Sequence, residues 1–361
     1  MESKHKFPYS WSLEGTPFSK DKGKVFSCFA CGGGSTMGYK LAGFDVIGCN
    51  EIDKRMNDVY VSNHKPKYNY LEPIQDFKER KDLPKELYQL DILDGSPPCS
   101  TFSMMGNRED DWGKMKHFRE GQAEQVLDTL FFDFIDLAKK LQPKVVIAEN
   151  VKGLMQGNAF RYVKRIYDAF DDAGYMVTHR LLNSMNMGVP QMRERTIFAA
   201  IRKDLSDYIE KDGIFSEEPS LNLDFDEAPI TFGDIRDDSC GGKPLSEYKL
   251  GLWKQRQKGD WDFGNITRRV LGKERCFTDS FVFNDMVLKT VNTSILDLFC
   301  LWDSPRRLNS AEVIKASTFP KDFDFGNENV GYICGMSVPP VMMAQIASRV
   351  HEQWLSVIPK C

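Results

Sequence analysis

Gly95-Ser96-Pro97-Pro98-Cys99-Ser100 follows the apolar run Leu90 to Leu93. That run reads as a buried parallel strand. The two prolines cannot continue a ladder and stiffen the chain. The Cys99 thiol is thereby fixed and exposed at a strand mouth, the setting a nucleophile needs. A second apolar run, Lys144 to Ala148, leads into Glu149. A carboxyl group at the end of such a strand lies where open α/β sheets bind ligands, and it can carry a proton. Arg193 and Arg195, in Gln191-Met192-Arg193-Glu194-Arg195, alternate along a strand-like segment and so share a face. Together these are a nucleophile, a proton carrier and two cations.

A different chemistry is written upstream. Phe26-Ser27-Cys28-Phe29-Ala30-Cys31 runs into Gly32-Gly33-Gly34. Glycines between a strand and a helix let backbone approach a ligand and present amide N–H groups at the helix N-terminus. An acidic residue, Glu51, ends the next strand. A carboxylate about 20 positions after such a loop suits the two ribose hydroxyls of an adenosyl group.

The elements that must position these groups alternate. Strands are expected at Val25 to Phe29, Asp45 to Cys49, Leu90 to Leu93, Lys144 to Ala148 and Thr196 to Ile201. Helices are expected at Ser35 to Ala42, Lys54 to Ser62, Glu120 to Leu141 and Phe160 to Ala173. This alternation implies an α/β fold with a doubly wound sheet. A helical pattern resumes from Pro305, and Val338 to Trp354 is expected as the last helix.

Composition sets bounds. The chain has 361 residues, 41% hydrophobic and 28% charged, enough for one large or two moderate domains. Its net charge is −4, so any basic footprint must be local. Nine cysteines in this length do not form a secreted disulfide framework. Cys28 and Cys31 make a single Cys-x-x-Cys pair, short of the four ligands of a zinc site, and no metal is expected. No secretory leader or membrane-spanning run of about 18 residues is read in the sequence, so no membrane association and a cytoplasmic location are expected.

The motifs, in their order, resemble those of the cytosine-C5 DNA methyltransferases of prokaryotic or phage type. The resemblance covers roughly residues 24 to 202 and 305 to 355, ending on Gly335-Met336-Ser337-Val338-Pro339-Pro340. It implies a Rossmann-like methyltransferase sheet with a smaller target-recognition lobe. It also implies S-adenosyl-L-methionine as cofactor, S-adenosyl-L-homocysteine as product and double-stranded DNA as substrate. Cys99 then adds to carbon 6 of a flipped cytosine, Glu149 acts at ring N3, Arg195 holds O2 and Arg193 supports the pocket. On the cofactor side it implies Phe29, Gly32, Gly33, Gly34, Glu51, Ile52, Asp76, Phe77, Pro98, Leu130 and Ser337, and near the DNA backbone Ser103. Cys31 and Met336 depart from the family pattern, which has glycine and asparagine there, and the asparagine's contact falls to Ser337. A cognate restriction endonuclease is a compatible partner, as is an orphan role.

Residues 1 to 215 are expected as the catalytic lobe, 216 to 304 as the target-recognition lobe and 305 to 361 as a return to the catalytic lobe. Between 249 and 277 lysines and arginines interleave with Trp253, Trp261, Phe263 and Phe277. This basic, aromatic stretch is read as the nucleic-acid face, with Arg256, Arg268 and Arg269 as DNA contacts. Three alternatives remain open. Cys276-Phe277-Thr278 matches the tripeptide of the family's tRNA-methylating branch. A non-catalytic cofactor- or nucleic-acid-binding module would be expected to lack Cys99 or Glu149. A nicotinamide-dependent oxidoreductase would leave the Pro-Cys and Gln-x-Arg-x-Arg segments without a use.

Overall fold

The computed structural model describes residues 5–98, 115–116, 125–126, 129–155, 160–211, 218–272 and 279–359. Cys99, Ser103 and the Cys276-Phe277-Thr278 tripeptide lie outside the described residues. In chain order the elements begin with β1 (Lys24–Cys28), α1 (Gly34–Leu41), β2 (Asp45–Glu51), α2 (Lys54–His64), β3 (Tyr68–Leu71), α3 (Ile74–Glu79) and β4 (Ile92–Gly95). A short antiparallel pair, β5 (Met115–Lys116) and β6 (Gln125–Val126), precedes α4 (Leu130–Leu141), β7 (Val145–Val151), α5 (Phe160–Asp172) and β8 (Tyr175–Asn183). Then come β9 (Gln191–Met192), β10 (Glu194–Arg202), α6 (Phe232–Ile235), α7 (Glu247–Trp253), α8 (Phe263–Leu271), β11 (Ser280–Val282) and β12 (Leu288–Lys289). The rest is α9 (Ile295–Leu298), β13 (Phe299–Leu301), α10 (Ser310–Ala316), α11 (Val330–Met336) and α12 (Pro340–Val350).

The chain divides into two compact units. The sheet unit is Pro17–Asn183, Glu194–Phe225 and Met342–Cys361. Its seven strands run β3-β2-β1-β4-β7-β10-β8, with only β10 antiparallel to its neighbours. Side chains alternate across the central strands. Phe26, Cys28, Leu93, Val146 and Ala148 form one buried core with Phe77 of α3, Phe134 of α4 and Ile166 of α5. Ser27 and Asp94 are paired in register and bond to each other; Asp94 also accepts from Tyr39 of α1. Strand order reverses between β1 and β4, and a doubly wound sheet binds its ligand at such a reversal, beyond the strands' carboxyl ends. The loops that leave Cys28 and Gly95 emerge at this point. Within the same unit, Trp354 is fully buried and its indole N–H donates to the Ser220 carbonyl at 2.8 Å.

The second unit is Met1–Thr16, Ser184–Arg193 and Asp226–Val341. It holds two small parallel pairs, β11 with β13 and β9 with β12. Leu245, Leu252, Phe263, Ile266, Phe281 and Cys300 make one of its cores.

Several expectations change in detail. Of the helix expected over Glu120 to Leu141, Leu130–Leu141 is α4 and Gln125–Val126 is extended; 120–124 and 127–128 lie outside the described residues. The edge strands β3 and β8 were not anticipated: Tyr68–Leu71 is half exposed, and β8 mixes Val177 and Leu182 with His179 and Arg180. The last helix begins at Pro340, two residues later than expected, and continues through a π-helical turn, His351–Leu355. The unit edges fall at 225/226 and 341/342 rather than at 215/216 and 304/305. Fully buried Glu312 explains the later edge, for it binds Arg306 and accepts from the Asp237 amide, while Lys315 pairs with Asp237. This ties 305–316 to 236–238. The stretch Val330–Leu355 has the length and mean hydropathy (1.3) of a membrane span, but 78% of its apolar window is buried within the protein, as in a core helix.

Candidate active site

The loop after β1 is held in an unusual backbone shape. Phe29 and Cys31 are non-glycine residues at φ 53° and 48°, and Gly33 is at 85°. Left-handed backbone costs a side-chain-bearing residue about 1–2 kcal/mol, and such costs gather at functional sites. Glu51, at the end of β2, ties the loop down. One carboxylate oxygen accepts from the Cys31 amide at 2.7 Å, and the other from the Ile52 and Asp53 amides at 2.8 and 2.9 Å. A carboxylate has about four lone-pair sites, so one remains for a ligand hydroxyl. Burial pushes Glu51's proton affinity up, against the pull of these three amides.

At the carboxyl end of β7, Arg195 donates from Nε to Glu149 Oε1 at 2.7 Å. Both side chains are nearly buried, at 15% and 11% exposure, so the pair is shielded from solvent. The antiparallel register sets Ile197 opposite Glu149 and Arg195 opposite Val151, which makes the pair diagonal across β7 and β10. The next residue, Asn150, uses its amide nitrogen on the Pro97 carbonyl at 3.2 Å and its amide oxygen on the Val151 N–H at 2.8 Å. The chain two residues before Cys99 is therefore fastened to the residue beside Glu149. Asp94 lies one residue before Gly95, fully buried, accepting from Ser27 Oγ at 2.8 Å and Tyr39 OH at 3.1 Å. Burial, with a smaller push from the charge of Glu149, raises its carboxyl to about 7 against the pull of the Ser27 and Tyr39 hydrogen bonds.

The model of the C-5 cytosine-specific DNA methylase family matches residues 23–352. The chain belongs to that family. It is 36% identical to the Type II methyltransferase M.FnuDI of Fusobacterium nucleatum, over 91% of this chain and 94% of that one. It is 33% identical to the Type II methyltransferase M.NgoPII of Neisseria gonorrhoeae, over 93% and 98%. Among solved structures it superposes on a putative DNA modification methyltransferase encoded within an E. coli prophage, with TM-score 0.61 and 19% identity, covering 91% of this chain and 99% of that one. This likeness extends the Rossmann-like reading to the fold as a whole.

In this family member the expected cofactor residues are placed unequally. Phe29 is half-buried with its ring 6.3 Å from that of Phe134, and Ile52 and Pro98 are half-exposed. Gly32, Gly33 and Gly34 lie at the mouth of α1. Asp76 is exposed in the first turn of α3. Phe77 and Leu130 are core residues: the Phe77 ring stacks on Phe26 at 5.4 Å and meets Tyr70 at 4.6 Å, and its amide is used by the Pro73 carbonyl. Ser337 is buried in the second unit, its hydroxyl lacking a hydrogen-bond partner among the described residues, as does Gln75 Oε1 beside Asp76. Within the sheet unit, the open acceptor position of Glu51 and the unpartnered Gln75 Oε1 fit a ligand with hydroxyl and amino groups, such as an adenosyl group.

The two motif arginines part company. Arg193, 2% exposed, donates to the Val291 and Gly335 carbonyls at 3.0 Å each, inside the second unit. Gln191 is bound to the Ala316 carbonyl and the Val291 amide. Arg193 thus shapes the backbone two residues before Ser337, and Arg195 alone meets Glu149. Of the expected DNA contacts, Arg256 lies 3.3 Å above the Trp253 ring and donates to the Trp302 and Trp253 carbonyls, which makes it packing. Arg269 is bidentate to buried Asp260. Arg268 is exposed and bonds a carbonyl of its own helix. Sequence reasoning missed Asn150, Gln191 and Asp94; an acid at the end of the apolar run Leu90 to Leu93 was the legible signal for Asp94.

Proposed function

We propose that this methyltransferase modifies carbon 5 of a cytosine flipped out of a specific duplex DNA sequence, using S-adenosyl-L-methionine. The observation that carries the reading is the shielded Glu149–Arg195 pair beside Asn150, which anchors the Pro97 carbonyl leading to Cys99. Bound at the glycine loop, the cofactor supplies an electrophilic methyl group and leaves as S-adenosyl-L-homocysteine.

Cytosine carbon 5 is a poor nucleophile. The Cys99 thiolate forms a bond to carbon 6, and Glu149 donates a proton at N3, so electron density collects at carbon 5. Arg195 keeps Glu149 oriented and reaches the pyrimidine O2. After methyl transfer, the carbon-5 proton passes to water, the carbon 6–sulfur bond breaks to release the Cys99 thiolate, the N3 proton returns to Glu149 and the aromatic ring is restored. Glu51 uses its remaining acceptor position on the ribose, Asp76 faces the adenine amino group and Ser337 receives the carboxylate. Target choice belongs to the second unit, with Arg268 among its exposed cations. A restriction endonuclease of the same specificity is a compatible partner, an orphan role is equally compatible, and the enzyme works in the cytoplasm.

Bisulfite sequencing of DNA from a host that expresses the protein tests reaction, substrate and site together. Protected cytosines in one recurrent sequence are expected. Uniform conversion would refute the reading. Cys99→Ser is expected to lose all protection and to form no covalent adduct with a 5-fluorocytosine duplex.

A further inference from the structure

The glycine loop has a floor that the reaction chemistry does not use. His64, the last residue of α2, is buried, and its Nε2 lies 3.4 Å from the Gly32 carbonyl. On the other side of the ring, Nδ1 is 3.3 Å from Nζ of Lys40, near the end of α1. An ammonium has no lone pair, so Lys40 donates, Nδ1 accepts and the ring proton sits on Nε2, from which it is donated to Gly32. Burial and the facing ammonium hold the imidazole well below its ordinary proton affinity, which keeps it neutral. Tyr60 packs edge-on against the ring at 4.7 Å, and its hydroxyl is 2.9 Å from Thr36 Oγ1 on α1. A Cβ added to Gly33 would sit 2.2 Å from His64 Nε2 and 3.1 Å from Tyr60 Cδ2. The loop therefore rests on this pair of rings with no room to sink.

We propose that His64 is a positioning residue for cofactor binding, fixing the Gly32–Gly33 peptide through its Nε2–H and its ring edge, with Lys40 selecting the tautomer. This rests on the reading of the glycine loop as the S-adenosyl-L-methionine site. The role concerns binding and not the chemical step, because His64 touches the loop from beneath.

The test is calorimetry of S-adenosyl-L-homocysteine with the full chain, alongside steady-state kinetics with varied S-adenosyl-L-methionine. His64→Leu keeps ring-sized bulk and loses the donor. It is expected to weaken binding and raise KM roughly tenfold, with kcat at saturation unchanged, the size of one lost hydrogen bond to a buried acceptor. His64→Gln, which places an amide N–H near the same point, is expected to recover most of the affinity. Lys40→Met, at a half-buried site, leaves the imidazole in place and is expected to cost about threefold; it serves if His64→Leu does not fold. Wild-type affinity in His64→Leu or Lys40→Met, or a Gln variant no better than Leu, would overturn the proposal while leaving the cofactor site intact. Failure of the wild-type protein to bind would overturn the cofactor reading, and this proposal with it.

Discussion

Asn150 Nδ2 donates to the Pro97 carbonyl at 3.2 Å, and this fastens the approach to Cys99 onto the strand that carries Glu149. The carbonyl two positions before the proposed nucleophile and the strand of the proposed acid thus share one buried side chain. Asn150→Ala is expected to lower kcat by roughly 10²-fold, the scale of a misplacement near 1 Å, with S-adenosyl-L-homocysteine affinity unchanged. Single-turnover methylation and calorimetry on the same preparation separate the two; a parallel loss of both would place Asn150 in cofactor binding.

Glu149→Gln preserves shape and removes the proton that N3 requires. Its chemical step is expected to slow by about 10²–10⁴-fold. The Arg195 Nε–H can still be accepted by the amide oxygen, so the fold is expected to survive. Single-turnover rates at saturating DNA decide this, and an undiminished rate would remove Glu149 from the mechanism.

Asp94 predicts a pH dependence of stability. Burial pushes its carboxyl up to about 7. The unfolded chain titrates near ~4, so between these values the folded state holds a proton that the unfolded state has lost. The resulting stabilisation is complete below pH ~4 and is gone once pH has risen through about 7. Asp94→Asn has no such ionisation. From pH 5 to pH 8 the wild-type protein is expected to lose stability relative to Asp94→Asn, by roughly 2–4 kcal/mol over the full range. Urea midpoints that move in parallel would contradict this.

Cys31 stands at φ 48°, in the left-handed region that favours glycine. Relief of left-handed strain is worth about 1–2 kcal/mol, while glycine's greater freedom in the unfolded chain costs about 0.5–1. The strain term is larger. Cys31→Gly is therefore expected to stabilise the protein by up to about 1 kcal/mol, with the amide bond to Glu51 kept. A lower denaturation midpoint would show that the thiol makes compensating contacts.

Arg268 and Arg269 are neighbours with separate duties. Arg269→Ala leaves the Asp260 carboxylate with only the Gln257 amide as partner among the described residues and is expected to lower stability. Arg268→Ala is expected to leave stability unchanged and to weaken DNA binding, with a salt slope reduced by about one. Filter binding across salt, with thermal denaturation of both variants, reads the two effects. Equal DNA affinity in Arg268→Ala would move the recognition face elsewhere.

The sequence made the central strands legible because β1, β4 and β7 are buried on both faces and read as apolar runs. Glu149 and Arg195 were legible because strand ends and alternation fix where such side chains go. The edge strands were not, since one exposed face dilutes their pattern. The core packing of Phe77 was not legible, because its ring partners Phe26 and Tyr70 come from other elements. The partners of Arg256 and Arg269 were hidden for a related reason: a cation's partner, Trp253 or Asp260, is set by packing and not by neighbouring charge. His64 gave no signal, because its partners Gly32 and Lys40 come from other elements.

The sheet unit closes with Trp354 seated against Ser220, although every strand of the sheet precedes Met342. On the ribosome the strands emerge first, and the segment that covers them follows only after the whole second unit has been made. At about 5–20 residues per second, the nascent sheet waits on the order of ten seconds with that seat uncovered. Methylating capacity in a cell therefore trails synthesis of the message's first half, and a chain halted within the second unit leaves an exposed apolar surface for chaperones and proteases in place of a working sheet unit.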